Sequence, residues 1–306
     1  MGAIFMGTPA AAVPSLAALG GIEDIDLVIT QPDRRSGRGG VRTPSPVKVA
    51  AGQWGLPVAQ PEDRTELLDI LLAAEARFGL VVAYGRILTP AMLASTDAGF
   101  LNVHFSLLPR WRGAAPVERS IAAGDEMTGV TLMKLDEGLD TGPIIGETST
   151  PIGAYETGGT LTGRLAHLGA ALVDAALPDY LSGRRSPVPQ IDTDPTHAKR
   201  LTTAEASVLP TWDAARAERC VRAFTPRPGA RLETADGSLR IWSARRHDGG
   251  GEQGTIRVST SGVIAGFADG ALELRRVQPE GKQVMDAIAW MNGRRNEPTT
   301  FGTDSP

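Results

Sequence analysis

The chain has 306 residues, of which 42% are hydrophobic and 22% are charged, and its formal net charge is −4. At about 100–200 residues per domain, this length predicts two domains, and the composition is that of an ordinary globular protein. The charge excludes a globally basic nucleic-acid binder, the single cysteine excludes an intramolecular disulfide or a cysteine-cluster metal site, and no apolar run approaches the roughly 20 residues of a membrane span.

The chain opens with MGAIFMGTPA, which has neither the basic nor the apolar region of a secretion signal, so we expect a cytoplasmic protein. A strand over Ala3–Met6 is followed by Gly7-Thr8-Pro9 and an alanine-rich helix to about Leu19. The dinucleotide fingerprint G-x-G-x-x-G is absent, and no acidic ribose-binding residue follows in the right setting. We therefore interpret this stretch as a tight strand-to-helix turn.

The rest of the first half alternates apolar strands with helices. Strands are predicted over Asp26–Thr30, Leu56–Ala59, Gly79–Tyr84, Phe100–Phe105, Val130–Leu135 and Ile144–Thr148, and helices begin at Ser45-Pro46 and span Thr65–Ala76, Ala114–Ala123 and Leu161–Leu181. Strands that alternate with helices predict a mostly parallel α/β sheet.

One strand carries two polar side chains on one face. Asn102 and His104 are two residues apart, so they point the same way, while Val103 points into the opposite layer. Ligands of open α/β sheets bind beyond the carboxyl ends of the strands. A lone histidine on an apolar strand is more often a satisfied buried residue, but the asparagine beside it favours a site.

A second element supports the same site. Residues 134–142 read KLDEGLDTG and directly follow a predicted strand, so this loop can bring the Asp140 carboxylate back toward the sheet. An amide and an imidazole can donate to an oxyanion that develops on a carbonyl carbon. A carboxylate can orient the histidine and help to remove a proton from an attacking amine. These three side chains predict acyl transfer, with no serine or cysteine nucleophile and no metal.

The pattern changes after Arg184. A stretch rich in Pro, Asp and Thr is predicted to be a linker, and one helix (Ala214–Phe224) precedes short strands separated by Gly, Pro and Asp, which predict a small β-barrel or sandwich. The predicted division is a catalytic domain over 1–189, a linker over 190–206 and a C-terminal domain over 207–306.

Two long strings resemble a known family. NVHFSLLPRWRGAAPVERSIAAGD and the later GVTLMKLDEGLDTGPI are similar to the folate-dependent formyltransferases, which share Asn-x-His on a strand, a Ser-Leu-Leu-Pro loop and a distal Leu-Asp-x-Gly. The resemblance implies a Rossmann-like, mostly parallel sheet of the formyltransferase fold and a C-terminal OB-like β-barrel. It also implies that Asn102, His104 and Asp140 are catalytic.

The same resemblance implies 10-formyltetrahydrofolate as the formyl donor. The residues implied to bind the reduced folate lie in two segments after strands, and they are Arg86, Ile87, Leu88, Ser106, Leu107, Leu108 and Pro109.

Three features resemble the family members that formylate the methionine of an aminoacylated initiator tRNA. These are the opening FMGTPAAAVPSL, the loop QPDRRSGRGG with SPVKVAA, and the C-terminal strings ERCVRAFTPRPGA and VQPEGKQVM. The resemblance implies that the loop contacts initiator methionyl-tRNA, and the residues proposed for this are Arg34, Arg35, Arg38 and Arg42. We expect a monomer that binds this tRNA and folate and has no membrane partner.

Alternatives remain at this stage. The chain could be another folate-dependent formyltransferase that acts on a small amine, a non-catalytic RNA-binding protein on the same scaffold, or a folate hydrolase in which water replaces the amine. The C-terminal β domain and the SPVK insertion argue against the first alternative. The complete set of Asn102, His104 and Asp140 argues against the second, and the tRNA-type C-terminal half argues against the third.

Overall fold

The computed structural model describes residues 2–36, 41–191 and 194–302, and the chain divides into two compact units. The first unit contains Met1–Pro116, Met127–Pro151 and Thr162–Ala198, and the second contains Val117–Glu126, Ile152–Leu161 and Lys199–Pro306. The units are discontinuous in sequence, unlike the contiguous ranges predicted. Residues 190–198 of the predicted linker belong to the first unit.

Strands and helices follow one another along the chain within these units. The strands are β1 (Ala3–Gly7), β2 (Ile25–Ile29), β3 (Arg34–Ser36), β4 (Val41–Thr43), β5 (Val58–Ala59), β6 (Phe78–Val82), β7 (Phe100–His104), β8 (Arg112–Gly113), β9 (Met127–Lys134), β10 (Ile144–Pro151), β11 (His197–Ala198), β12 (Arg231–Thr234), β13 (Gly237–His247), β14 (Thr255–Ser259), β15 (Gly262–Gly266), β16 (Ala271–Pro279), β17 (Met285–Asp286) and β18 (Thr299–Thr300). The α-helices are α1 (Val13–Gly20), α2 (Pro46–Gln53), α3 (Arg64–Ala73), α4 (Pro90–Leu93), α5 (Pro116–Ala123), α6 (Gly158–Leu181), α7 (Ala214–Ala223) and α8 (Ala287–Gly293).

The first unit is built on a sheet of order β10-β9-β7-β6-β1-β2-β5. The pairs β7–β6, β6–β1, β1–β2 and β2–β5 are parallel. At one edge, β9 pairs antiparallel with β7, and β10 pairs antiparallel with β9. All residues of β1 and β6 are buried, as the continuous apolar runs of central parallel strands require. The predicted mostly parallel α/β sheet is confirmed.

Strand β7 separates two layers of the first unit. Val103 points toward helix α6, where a Cβ atom at Gly169 would lie 2.7 Å from Cγ1 of Val103. Glycine at this position therefore permits the helix to approach the sheet closely. Asn102 and His104 alternate with Val103 along the strand, so they point to the other face.

The second unit contains an antiparallel sheet of order β12-β13-β16-β15-β14-β18, with β17 paired to β16. The first and last of these strands meet, because the backbone N–H of Gly302 donates to the carbonyl oxygen of Glu233 at 2.8 Å and Thr234 bridges Phe301. The sheet is thus closed into a barrel. The predicted C-terminal β-barrel is confirmed.

Some elements were not predicted from the sequence. The loop after β2 contains a short hairpin, in which Arg35 pairs with Arg42, and the predicted linker contributes β11, which pairs in parallel with β8. Helix α8 was also missed, because the sequence around it carries turn signals on both sides. None of the helices within the described residues is long and apolar enough to cross a membrane.

Candidate active site

The site is built around the last residues of β7. His104 is 6% exposed, and Asn102 is partly exposed. Within the described part of the chain, the Asn102 carboxamide forms no hydrogen bond, so its N–H donors are available to a ligand. An amide of this kind on a rigid central strand is well placed to bind a carbonyl oxygen.

The imidazole of His104 is held by the backbone of the following loop. Its Nε2 atom lies 2.9 Å from the carbonyl oxygen of Trp111. Because a carbonyl oxygen can only accept a hydrogen bond, Nε2 carries the proton in this contact. In the neutral imidazole the lone pair is therefore on Nδ1, and Nδ1 is the nitrogen that faces Asp140, at 3.7 Å from Oδ2.

Asp140 is held in place by its own hydrogen bonds. Its Oδ2 atom accepts from the backbone N–H of Gly113 at 2.8 Å, and its side chain is 14% exposed. Its backbone φ is 53°, in the left-handed region that Asp and Asn tolerate better than most residues. The hydrogen bond from Gly113 thus holds the Asp140 carboxylate and, through it, the conformation of the loop.

The loop that carries Asp140 returns along β7 from the far end of that strand. Strand β9 runs antiparallel to β7, so it ends beside the beginning of β7, where Lys134 pairs with Leu101. The N–H of Leu135 then donates to the carbonyl oxygen of Phe100. From there to His104 is roughly 13 Å along the strand, at about 3.3 Å per residue. The loop covers this distance to bring the carboxylate to the imidazole.

The Ser-Leu-Leu-Pro segment is fixed by buried hydrogen bonds. The hydroxyl of Ser106 donates to the carbonyl of Arg110 at 2.6 Å. The N–H of Leu108 donates to Thr131 Oγ1 at 3.2 Å, and that hydroxyl donates to the Ser106 carbonyl at 2.7 Å. Ser106 and Leu108 are buried, whereas Leu107 and Pro109 are partly exposed. Ser106 and Leu108 therefore shape the loop, and Leu107 and Pro109 present its surface.

The segment after β6 has a similar division of roles. The guanidinium of Arg86 donates to the backbone carbonyls of Asp63 and Glu62 at 3.1 and 2.8 Å, and Leu88 is buried in the core. Ile87, between them, is 68% exposed. Because β6 and β7 are parallel neighbours, the segments that follow them leave the same edge of the sheet. Ile87 is an apolar side chain that a flat, largely apolar ligand could cover.

The predicted tRNA-contact loop is only partly described. Arg34 and Arg42 are exposed on the hairpin formed by β3 and β4, Arg35 lies in β3, and Arg38 lies outside the described residues. The base of the hairpin is anchored by Asp33, whose carboxylate accepts from Lys48 Nζ at 2.7 Å and from Gln60 Nε2 at 2.8 Å. These two hydrogen bonds lower the pKa of Asp33 and keep it charged.

Three residues of the site were not assigned from the sequence. Trp111 and Gly113 supply backbone groups to His104 and Asp140, and Gln190 donates from Nε2 to the carbonyl oxygens of Asp140 and Gly142 at 2.8 Å each. The Arg-Trp-Arg-Gly turn was a visible signal for the first two. Gln190 lies 50 residues from Asp140 in a stretch without periodicity, so local sequence gave no signal.

The arrangement is suited to transfer of an acyl group to an amine. It offers a free amide donor, an imidazole nitrogen with a lone pair and an adjacent carboxylate, and among the described residues no serine or cysteine side chain is hydrogen-bonded to the imidazole. No group of three or more His, Cys, Asp or Glu side chains in the described part of the chain could hold a metal ion.

Comparisons with known proteins agree with this chemistry. The family models Formyl transferase and Formyl transferase, C-terminal domain match residues 6–177 and 200–295. The methionyl-tRNA formyltransferase of Halorhodospira halophila is 46% identical over 301 residues, which cover 96% of this chain and 97% of that protein. The methionyl-tRNA formyltransferase of Xylella fastidiosa is 45% identical over 299 residues, which cover the same shares of the two chains.

The fold is also similar to solved structures. HypX from Aquifex aeolicus in complex with tetrahydrofolic acid superposes with a TM-score of 0.66 at 14% sequence identity, covering 95% of this chain and 47% of that one. The chain spans about half the length of that protein, and identity at this level establishes the shared fold alone.

Proposed function

The chain belongs to the methionyl-tRNA formyltransferase family, and on that premise we propose that it transfers the formyl group of 10-formyltetrahydrofolate to the amino group of methionyl initiator tRNA. The product, N-formylmethionyl-tRNA, serves translation initiation. The observation that supports this most directly is the convergence of Asn102, His104 and Asp140 at the end of β7. All three are the residues that the sequence motifs predict to be catalytic.

The Asn102 carboxamide stabilises charge on the formyl oxygen. When the methionyl amine attacks the formyl carbon, a C–N bond forms and the carbonyl electron pair moves to the oxygen. An N–H donor fixed on a rigid strand stabilises that oxyanion without having to reorganise. The Asn102 donors are not engaged by other described residues, which suits them to this role.

His104 accepts the proton that the attacking nitrogen must lose. With Nε2–H directed to the Trp111 carbonyl, Nδ1 is the basic nitrogen, and the resulting imidazolium faces the Asp140 carboxylate at 3.7 Å. The bond between the formyl carbon and N10 of the folate then breaks, and N10 takes up a proton as tetrahydrofolate leaves. This assigns proton transfer to the imidazole, in place of the oxyanion contact predicted from the sequence.

The folate donor packs between the two segments that follow β6 and β7. Ile87, Leu107 and Pro109 supply the accessible apolar surface, whereas Arg86, Ser106 and Leu108 hold the backbone that shapes it. Arg34 and Arg42, which are exposed on the β3–β4 hairpin, contact tRNA phosphates. Contacts by Arg35 and Arg38 stay predictions from the sequence. That the chain is a monomer and acts in the cytoplasm stays a prediction from the sequence.

The test is a formyl-transfer assay with purified protein and 10-formyltetrahydrofolate. The acceptors are methionyl initiator tRNA and, separately, glycinamide ribonucleotide as a small amine. We expect formylmethionyl-tRNA from the wild type and a loss of several orders of magnitude in His104→Ala.

The other outcomes separate the alternative functions. Transfer to the small amine alone would indicate a different folate-dependent formyltransferase. Release of formate without an acceptor would indicate a hydrolase. Tight tRNA binding without any transfer would indicate a non-catalytic RNA-binding protein.

A further inference from the structure

Gln190 joins two loops of the active site. Its Nε2 atom donates to the carbonyl oxygens of Asp140 and Gly142, each at 2.8 Å. These are two backbone groups of the loop that places the Asp140 carboxylate. Two hydrogen bonds from one amide nitrogen use both of its protons and fix the spacing of the two carbonyls.

The other end of the same carboxamide binds the loop that holds His104. Oε1 of Gln190 accepts from Nε and Nη2 of Arg112 at 3.1 and 2.7 Å. Arg112 is 5% exposed and lies between Trp111 and Gly113, the residues that contact His104 and Asp140. Gln190 thus links the side chain of Arg112, in the loop that holds the imidazole, to the backbone of the loop that carries the carboxylate.

Thr196 also contacts the same loop. Thr196 accepts from the backbone N–H of Trp111 through Oγ1 at 2.8 Å, and its carbonyl accepts from the N–H of Arg112 at 2.9 Å. Trp111 has a φ of 63°, a conformation that a bulky residue adopts only when its surroundings impose it. The segment predicted to be a linker therefore helps to impose the conformation of the loop that holds His104.

We infer that Gln190 is a positioning residue for the formyl transfer, and that it acts through Asp140. This inference rests on the proposed function. Asp140 and His104 are not hydrogen-bonded to each other, so their separation depends on the loop that carries Asp140 and on the Trp111–Gly113 loop that holds the imidazole at the end of β7. Besides the Asp140 carboxylate itself, which accepts from the N–H of Gly113, Gln190 connects those loops through both its donors and its acceptor. Displacing a reacting group by about 1 Å can lower a rate by as much as about 100-fold.

The test compares a substitution that removes one set of contacts of the Gln190 side chain with a substitution that removes both sets. Gln190→Glu keeps an acceptor for Arg112 but loses the N–H donors to Asp140 and Gly142. Gln190→Ala loses both sets of contacts. We expect both variants to lower kcat by roughly 10-fold to 100-fold, with a KM for methionyl-tRNA within about threefold of wild type.

A coupling measurement separates positioning from a purely structural role. If Gln190 acts through Asp140, adding Gln190→Glu to Asp140→Asn should lower kcat by less than about threefold, because groups that act as a unit are not additive. Ile191→Ala is the matched control, since this neighbouring side chain is 75% exposed, and it should have wild-type activity.

The contrary outcomes are distinct. Wild-type kcat in Gln190→Glu, or full additivity with Asp140→Asn, would overturn the positioning role while leaving the proposed function intact. Absence of formyl transfer by the wild type itself would overturn the proposed function instead.

Discussion

Oδ2 of Asp140 lies 3.7 Å from Nδ1 of His104, a separation that suits an ion pair but is too long for a hydrogen bond. The tautomer of the imidazole is set by the Trp111 carbonyl on its other side. In the proposed mechanism, the carboxylate contributes chiefly when the imidazole becomes charged, which is the moment at which the amine loses its proton. We therefore propose that its role is electrostatic and depends on the charge of Asp140 rather than on its shape.

Asp140→Asn tests that charge. Asparagine tolerates the φ of 53° and retains an oxygen that can accept from Gly113, so the loop should keep its conformation. We expect kcat to fall by about 100-fold or more, with an unchanged melting temperature and little change in the KM for the folate. Single-turnover kinetics with saturating substrates would measure the loss. A rate within a few-fold of wild type would show that the carboxylate charge is not needed.

Asn102→Asp tests the oxyanion contact. The replacement has nearly the same shape, but a carboxylate has no N–H to donate and repels a negative oxygen. We expect kcat to fall by about 100-fold to 1,000-fold, the cost of losing one donor to an oxyanion. Binding of tetrahydrofolate, measured by calorimetry, should be affected far less. Equal losses in folate affinity and in kcat would instead place Asn102 in ground-state binding.

The hairpin arginines should act on tRNA binding through charge. Replacing both Arg34 and Arg42 by Ala should weaken binding of methionyl-tRNA and reduce the slope of log K against log salt by roughly 1 to 2. Turnover at saturating tRNA should change little, because the hairpin is not part of the catalytic group. Arg184→Ala is a suitable control, since Arg184 is 67% exposed and paired with Asp179. An unchanged salt slope in the double variant would remove these arginines from the interface.

Glu205 should stabilise the second unit in a pH-dependent way. Its carboxylate accepts from Arg119 at 2.7 Å, and this hydrogen bond lowers its pKa from 4.5 to about 2. A lowered folded-state pKa contributes stability that is fully present above pH 4.5 and is lost as the pH falls toward about 2.

Glu205→Gln should therefore lower the free energy of unfolding near pH 7, by no more than about 1 kcal/mol because the pair is partly exposed. The difference from wild type should shrink between pH 4.5 and about 2. Denaturant titrations across that range measure it. In an Arg119→Met background the effect of Glu205→Gln should be smaller, and an unchanged effect would mean that Arg119 is not its cause.

The sequence allowed the sheet and the three catalytic candidates to be predicted because their signals are local. Asn102 and His104 share a face by strand periodicity alone, and the apolar run of β6 identifies a central strand. The contacts of Gln190 and Thr196 could not be predicted in this way. These contacts join residues far apart in the chain. The segment that contains Gln190 and Thr196 has no hydrophobic periodicity, so the sequence carries no signal for its contacts. The pairing of β11 with β8 could not be predicted for the same reason.

The closure of the C-terminal barrel depends on the last described residues of the chain. Phe301 is 1% exposed, its ring lies 5.3 Å from that of Phe267, and the N–H of Gly302 completes the pairing with Glu233. Loss of the chain from Thr299 onward would leave β12 and β14 with free edges. Unpaired edges template the addition of further strands, so a small deletion there would favour self-association and aggregation.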